Sequence, residues 1–188
     1  GEPTLSRRWL VGFFRELSRL TGPKVRRHLD SNGTVLTPDY VDELVEAGCN
    51  NIGIEPKCAS VEAYMRVTGL SDRELARKYL ENAWRAVEYV YDRYRERVYL
   101  GVGLVYNPAL VTLEEVAEAG RRVAEIGEEI QVTVLDYFPA FRRRELRRPT
   151  VGEMLRVKEV LEAQGLRTVI VQTSRGHVGP GDRRRLRP

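Results

Sequence analysis

Residues 71–105, SDRELARKYLENAWRAVEYVYDRYRERVYLGVGLV, decide the fold. Ser71-Asp72-Arg73-Glu74 has the form of a capping box, in which side chains cover the free N–H groups of a helix start. From there Leu75, Tyr79, Leu80, Ala83, Trp84, Val87, Val90 and Tyr94 recur at helical spacing and give a long helix one apolar face. Val98 to Val105 follows as a short apolar run with glycines at 101 and 103, the pattern of a strand buried on both faces. A helix feeding such a strand is the building unit of a parallel α/β sheet.

The same unit recurs on both sides. Upstream, Thr4 to Leu20 carries Leu10, Phe13, Phe14, Leu17 and Leu20 at helical spacing, and Thr21-Gly22 ends it. Val25 to Leu29 predicts a short strand running into Asp30-Ser31-Asn32-Gly33. Thr37-Pro38 supplies an N-cap and a first-turn proline for a helix ending at Ala47-Gly48. Asn51 to Glu55 predicts the next strand, with Pro56-Lys57-Cys58 as its loop. Downstream, a second box at Thr112-Leu113-Glu114-Glu115 opens a helix that stops at Gly127, and Ile130 to Leu135 reads as a strand. Tyr137 to Arg148 is a long loop. A third box, Thr150-Val151-Gly152-Glu153, opens a helix to Gly165, before a last strand over Thr168 to Val171. The expectation is α/β: a partial (β/α) barrel of parallel strands with right-handed crossovers, incomplete at the N-terminus. Residues 1–176 form the domain, and 177–188 a basic, flexible tail. Functional loops in such folds sit at the carboxyl ends of strands, where Glu2, Asp30 to Asn32, Lys57, Asn107-Pro108 and Tyr137 to Phe141 fall.

Over 188 residues, 42% hydrophobic and 31% charged, the chain can bury one core and is short for two. No apolar run approaches the roughly 20 residues of a membrane span and no signal peptide is visible, so a cytoplasmic location is expected. The net charge of +4 is concentrated in Arg142-Arg143-Arg144, Arg147-Arg148 and Arg183-Arg184-Arg185-Leu186-Arg187. No aromatic residues interleave the tail for base stacking, which argues against nucleic acid. Cys49 and Cys58 are too few for a disulfide framework and too far apart for a metal knuckle.

Three places carry candidate chemistry. Gly1-Glu2-Pro3 reads as the second half of a Gly-Gly-Glu-Pro loop: glycine lets the backbone approach a ligand, and the glutamate can meet an ammonium group. On this reading the chain is a fragment that begins inside a ligand-binding motif. Asp30-Ser31-Asn32-Gly33 offers a carboxylate, a hydroxyl and an amide at a strand end, or an Asx-type turn that simply closes the strand. Lys57, one of four lysines, can bind a carboxylate or phosphate, form a Schiff base, or lie solvated in its loop. His28, within a strand, reads as structural, and His177 has no assigned role. No P-loop, zinc pattern or nucleophile elbow is present.

Together these motifs resemble the radical S-adenosylmethionine superfamily, in the branch around pyruvate formate-lyase activating enzymes. The resemblance runs through Gly1-Glu2-Pro3, Asp30-Ser31-Asn32-Gly33, Gly53-Ile54-Glu55-Pro56-Lys57 and Val67-Thr68-Gly69, in order along nearly the whole chain. It implies a partial barrel in which S-adenosylmethionine is cleaved reductively to a 5′-deoxyadenosyl radical that abstracts hydrogen from a substrate. A glycyl-radical enzyme or a small molecule would be that substrate, with ferredoxin or flavodoxin as electron donor. Carried over by residue, Gly1 and Glu2 would hold the methionyl ammonium and Asp30 a second ammonium or ribose contact, with Ser31 and Asn32 beside it. Lys57 would pair with the methionyl carboxylate.

Two departures stand out. The CxxxCxxC loop that binds a 4Fe-4S cluster is absent, and two cysteines cannot replace three thiolates, so the cluster is expected only in a longer parent and this stretch alone is expected to be inactive. Where activating enzymes place a ribose-contacting histidine, this chain has Tyr137-Phe138-Pro139. Phe138 has no donor there, leaving the Tyr137 hydroxyl as the candidate. Two other readings remain open: a barrel lyase or aldolase using Lys57, and a non-catalytic binding module of the same fold. A missing barrel unit would also leave one sheet edge uncovered, with self-association through it as the expectation.

Overall fold

The computed structural model describes residues 1–138 and 143–182. Six strands lie in a sheet in chain order: β1 (His28–Ser31), β2 (Asn51–Lys57), β3 (Tyr99–Tyr106), β4 (Gln131–Asp136), β5 (Val169–Thr173) and β6 (Gly176–Val178). β1 pairs parallel with β2, β4 parallel with β5, and β6 returns antiparallel on β5. The sheet is mostly parallel and open, with β1 and β6 at the ends of the order. No helix among the described residues is long and apolar enough to cross a membrane.

The chain divides into two compact units. The first comprises Gly1–Pro56 and Asp72–Val102 and contains a 3-10 turn (Pro3–Leu5), α1 (Arg7–Leu20), α2 (Pro38–Glu46) and α4 (Arg73–Tyr94). Its core is built from Leu10, Phe14, Val41, Leu44, Ile52, Ile54, Trp84, Val87 and Val90, all nearly or fully buried. Gly33 illustrates how tight this core is: its φ is +74°, and a Cβ there would lie 2.8 Å from the Ala83 backbone on α4 and 2.9 Å from Ile54. Only glycine satisfies both the backbone and the space. Tyr89 and Tyr94 on α4 each donate a 2.7 Å hydrogen bond to Asp42 Oδ1 on α2.

The second unit comprises Lys57–Ser71 and Gly103–Pro188 and contains α3 (Val61–Thr68), α5 (Leu113–Ile126) and α6 (Val151–Glu162). Val116, Val123, Val132, Val134, Met154, Val157, Leu161, Val169 and Val171 form its core.

The three expected capping boxes fold in three ways. At Thr150 the box is complete: Thr150 Oγ1 accepts from the Glu153 N–H, and Glu153 reaches back to the Thr150 N–H. Glu153 also pairs with Arg147, which holds its carboxyl down at about 2. At Thr112 the hydroxyl caps the helix, but Glu115 turns away and accepts from Ala59 N, Ser60 N and Ser60 Oγ, anchoring the start of α3. At residue 71 the cap is Asp72, whose Oδ1 accepts from Leu75 N, because a carboxylate one position on replaces the expected serine.

Other expectations are corrected locally. The first strand starts three residues later than Val25, since Val25 is held in a turn to Gly22 O and pairing with β2 begins at His28↔Asn51. The apolar stripe read on the first helix splits: Leu10, Val11 and Phe14 are buried, whereas Phe13 and Leu20 are exposed. β6 crosses the boundary placed at residue 176, with His177 opposite Gln172. Residues 183–187 of the basic tail, and Arg142 and Phe141 of the loop, lie outside the described residues.

Candidate functional site

Glu2 precedes the 3-10 turn and is held at the carboxyl end of β1 by four donors. Its Oε1 accepts from Thr4 N at 3.1 Å, Thr4 Oγ1 at 2.5 Å and Ser31 Oγ at 2.8 Å, and its Oε2 accepts from Asn32 N at 2.8 Å. Partial burial works to raise the Glu2 pKa, but the Asn32 N–H and the Thr4 and Ser31 donors outweigh it and leave the carboxyl below its usual range. A carboxylate offers about four lone-pair sites. Oε1 is saturated, while Oε2 has a single donor among the described residues. The geometry therefore keeps one acceptor position for a ligand ammonium or hydroxyl, and the donor set fits a cation-bearing ligand.

The motif after β1 serves this carboxylate. Ser31 Oγ donates to Glu2 and accepts from Gly33 N, and the Asn32 side chain closes an Asx turn on Thr34 N and Thr34 Oγ1. Glu2, Ser31 and Asn32 are thus brought together, with the two motif residues orienting the first. Asp30 is not with them. Strand alternation puts His28 and Asp30 on the exposed face of β1 and Leu29 and Ser31 on the buried one. Asp30 pairs there with His28 Nε2 at 3.0 Å, and His28 Nδ1 lies 2.8 Å from Asn51 Oδ1. His28 is therefore half-exposed on the sheet rather than packed in a core. Opposite, Gly53 leaves the space the Asp30 carboxylate occupies; a Cβ there would collide with it. Gly1 is exposed.

Lys57 and Tyr137 belong to the second unit. Lys57 ends β2 at φ +74°, a left-handed backbone conformation that a non-glycine residue rarely adopts and that singles it out as a functional candidate. Tyr137 donates its N–H to Tyr106 O, and its carbonyl accepts from Asn107 Nδ2 at 3.0 Å. Asn107, only 1% exposed, also donates to Arg147 O and so fastens both ends of the loop after β4.

One feature escaped the sequence reading. Asp136, at the end of β4, has a side chain with no exposure; its Oδ2 accepts from Arg148 Nε at 2.6 Å, and its Oδ1 is buried with no partner among the described residues. The Arg148 guanidinium sits 4.7 Å above the Phe138 ring. A lone carboxylate ending an apolar strand was the available signal.

The cysteines do not fit an iron–sulfur cluster. Cys49 and Cys58 are each about 1% exposed, and burial pushes both thiols up to about 12, opposite to what a thiolate ligand needs. Among the described residues no three His, Cys, Asp or Glu side chains are grouped to hold a metal.

No protein-family model matches the chain, and no curated protein matches it. Solved structures do. A domain of pyruvate-formate lyase-activating enzyme from Bacteroides vulgatus ATCC 8482 superposes with a TM-score of 0.67 at 12% identity, covering 91% of this chain and 94% of that one. Coproporphyrinogen III oxidase (HemN) from Escherichia coli, a radical SAM enzyme, gives a TM-score of 0.59 at 17% identity over 87% of this chain and 38% of its own. At these identities the likeness is one of fold. The chain shares its fold with both proteins, and with the activating-enzyme domain along almost all of its length.

Proposed function

We propose that the chain carries the S-adenosylmethionine-facing part of a radical enzyme, cytoplasmic, acting on a glycyl-radical enzyme or a small molecule and drawing electrons from a ferredoxin or flavodoxin. The observation that carries this reading is Glu2: a carboxylate fixed by four donors at a strand end, with one acceptor position left on Oε2. The Gly1 backbone and Glu2 would receive the methionyl ammonium, while Ser31 and Asn32 keep the carboxylate aimed. Asp30, paired with His28 on the other face of β1, is left out of this arrangement. When bound, S-adenosylmethionine supplies the radical that abstracts hydrogen. No step is assigned to a cluster, because two buried thiols cannot supply its three thiolates. A second reading is a non-catalytic module of the same fold that binds the nucleoside and does no chemistry.

Titrating S-adenosylmethionine into the chain tests binding directly. The Asn32 and Thr4 amide resonances report on the Glu2 carboxylate and should move on titration. Glu2→Gln, which keeps the shape and removes the charge, should abolish the movement. Unchanged resonances in the unmutated chain would sink both readings. Binding in this chain, with turnover appearing only when three cluster thiolates are supplied on a longer chain, would favour the enzyme over the module.

A further inference from the structure

Helix α1 is apolar on two sides. Leu10, Val11 and Phe14 enter the core, yet Trp9, Phe13 and Leu20 stand 62%, 44% and 71% exposed, and Leu5, just before the helix, 74%. The Trp9 and Phe13 rings stack with centroids 5.4 Å apart and planes 10° from parallel. An open groove of about 650 Å³ runs past them, bordered by Arg8, Gly12, Arg15 and Glu16. A Cβ on Gly12 would meet nothing within 4 Å, so the groove floor there is bare backbone.

Exposed apolar stripes of this kind mark contact surfaces, and the pattern of this one names its occupant. In an antiparallel pair of identical helices about a twofold axis, positions equidistant from the axis face each other. An axis between residues 12 and 13 sets Leu5 opposite Leu20, Trp9 opposite Glu16, and Gly12 opposite Phe13. Each Phe13 ring would fill the bare strip over the other copy's Gly12. Each Glu16 carboxylate would meet the indole N–H of Trp9 and the guanidinium of the neighbouring Arg8. Among the described residues Glu16 pairs only with Arg19, at 2.9 Å and with both side chains exposed, a contact that is cheap to exchange.

We propose that α1 is the interface of a symmetric homodimer. With Leu5, Trp9, Phe13 and Leu20 each about half to three-quarters exposed, the four side chains together present on the order of 500 Å² per copy. A pair would cover about 1,000 Å², the lower end of specific interfaces, which makes the dimer a reversible one.

Sedimentation over the micromolar range, with acrylamide quenching of tryptophan fluorescence in the same samples, tests this. Trp84 is fully buried and gives a constant background, so Trp9 is the reporter. The expected result is a concentration-dependent dimer in which Trp9 becomes shielded. Glu16→Arg should weaken it by about tenfold, since like charges then face each other, and adding Arg8→Glu should restore it. Circular dichroism would confirm that the variants keep the fold. A chain that stays monomeric overturns the proposal, whether the stripe is bare or meant for another segment or protein. So does a dimer in which Trp9 remains quenchable, because that contact would lie elsewhere, such as along β1.

Discussion

Two carboxylates close strand ends in this protein, and they are held in opposite ways. Glu2 sits half-buried among four donors, two backbone N–H groups and two hydroxyls, all from residues 4, 31 and 32. Asp136 is fully buried, has one guanidinium on Oδ2, and leaves Oδ1 without a partner among the described residues. A carboxylate surrounded by neutral donors keeps its net charge and can still attract a cation. A carboxylate spent on one arginine is neutralised, and its work is to hold Arg148, just before α6, against the end of β4. The first arrangement suits a ligand and the second an anchor: Glu2 reaches the end of β1 from a distant turn, whereas Asp136 is itself the last residue of β4.

The largest effect should come from breaking the anchor. Asp136→Ala frees Arg148, whose side chain is 36% exposed and can turn to water, so the loss should fall short of a fully buried pair at about 2–3 kcal/mol. Urea unfolding should show a lower midpoint at unchanged slope. An unchanged midpoint would mean that the buried ion pair contributes nothing and that the contrast with Glu2 is one of geometry alone.

Breaking the Glu2 arrangement should cost less and should depend on pH. Glu2→Gln places an amide against the Asn32 N–H and removes the charge that four donors share; with water able to enter, the loss should be about 1–2 kcal/mol at neutral pH. The folded-state pKa of Glu2 lies below its ordinary value, so its contribution is complete above that ordinary value, near 4.5, and disappears as pH falls through the lowered folded pKa. The variant and the parent should therefore converge in acid. Parallel stability curves down to low pH would show that the carboxylate is not the group being stabilised.

These two sites also differ in how well they could be read from the sequence. The strand–helix order was legible because each helix has a period of 3.6 and each strand a short apolar run. Glu2, Ser31 and Asn32 were legible as motif residues at a strand end. Their division of labour was not, since it depends on Glu2 folding back across 29 positions to Ser31. Strand alternation alone separates Asp30 from Ser31, and the tetrapeptide reading passed over it. α3 went unread because its start is fastened by Glu115, 55 residues away from Ser60, while the local Ser60 cap is unremarkable in a loop. Asp136 and Arg148 lie only 12 positions apart, but nothing in a loop with five arginines says which one turns inward.

The smallest effect tests what orients that arginine. The Phe138 ring under the Arg148 guanidinium is 45% exposed, so the cation–π contact should contribute about 0.5–1 kcal/mol. Phe138→Leu keeps an apolar support and removes the ring, and its loss should largely vanish in the Asp136→Ala background, where Arg148 is already free. A double-mutant cycle by urea unfolding measures this coupling. If the two losses simply add, the ring and the carboxylate act on different groups, and Asp136 holds the loop without help. If they couple, carboxylate and ring grip one guanidinium from its edge and its face. The anchor would then be a three-residue clamp, unlike the Glu2 arrangement, in which every donor acts on the carboxylate itself.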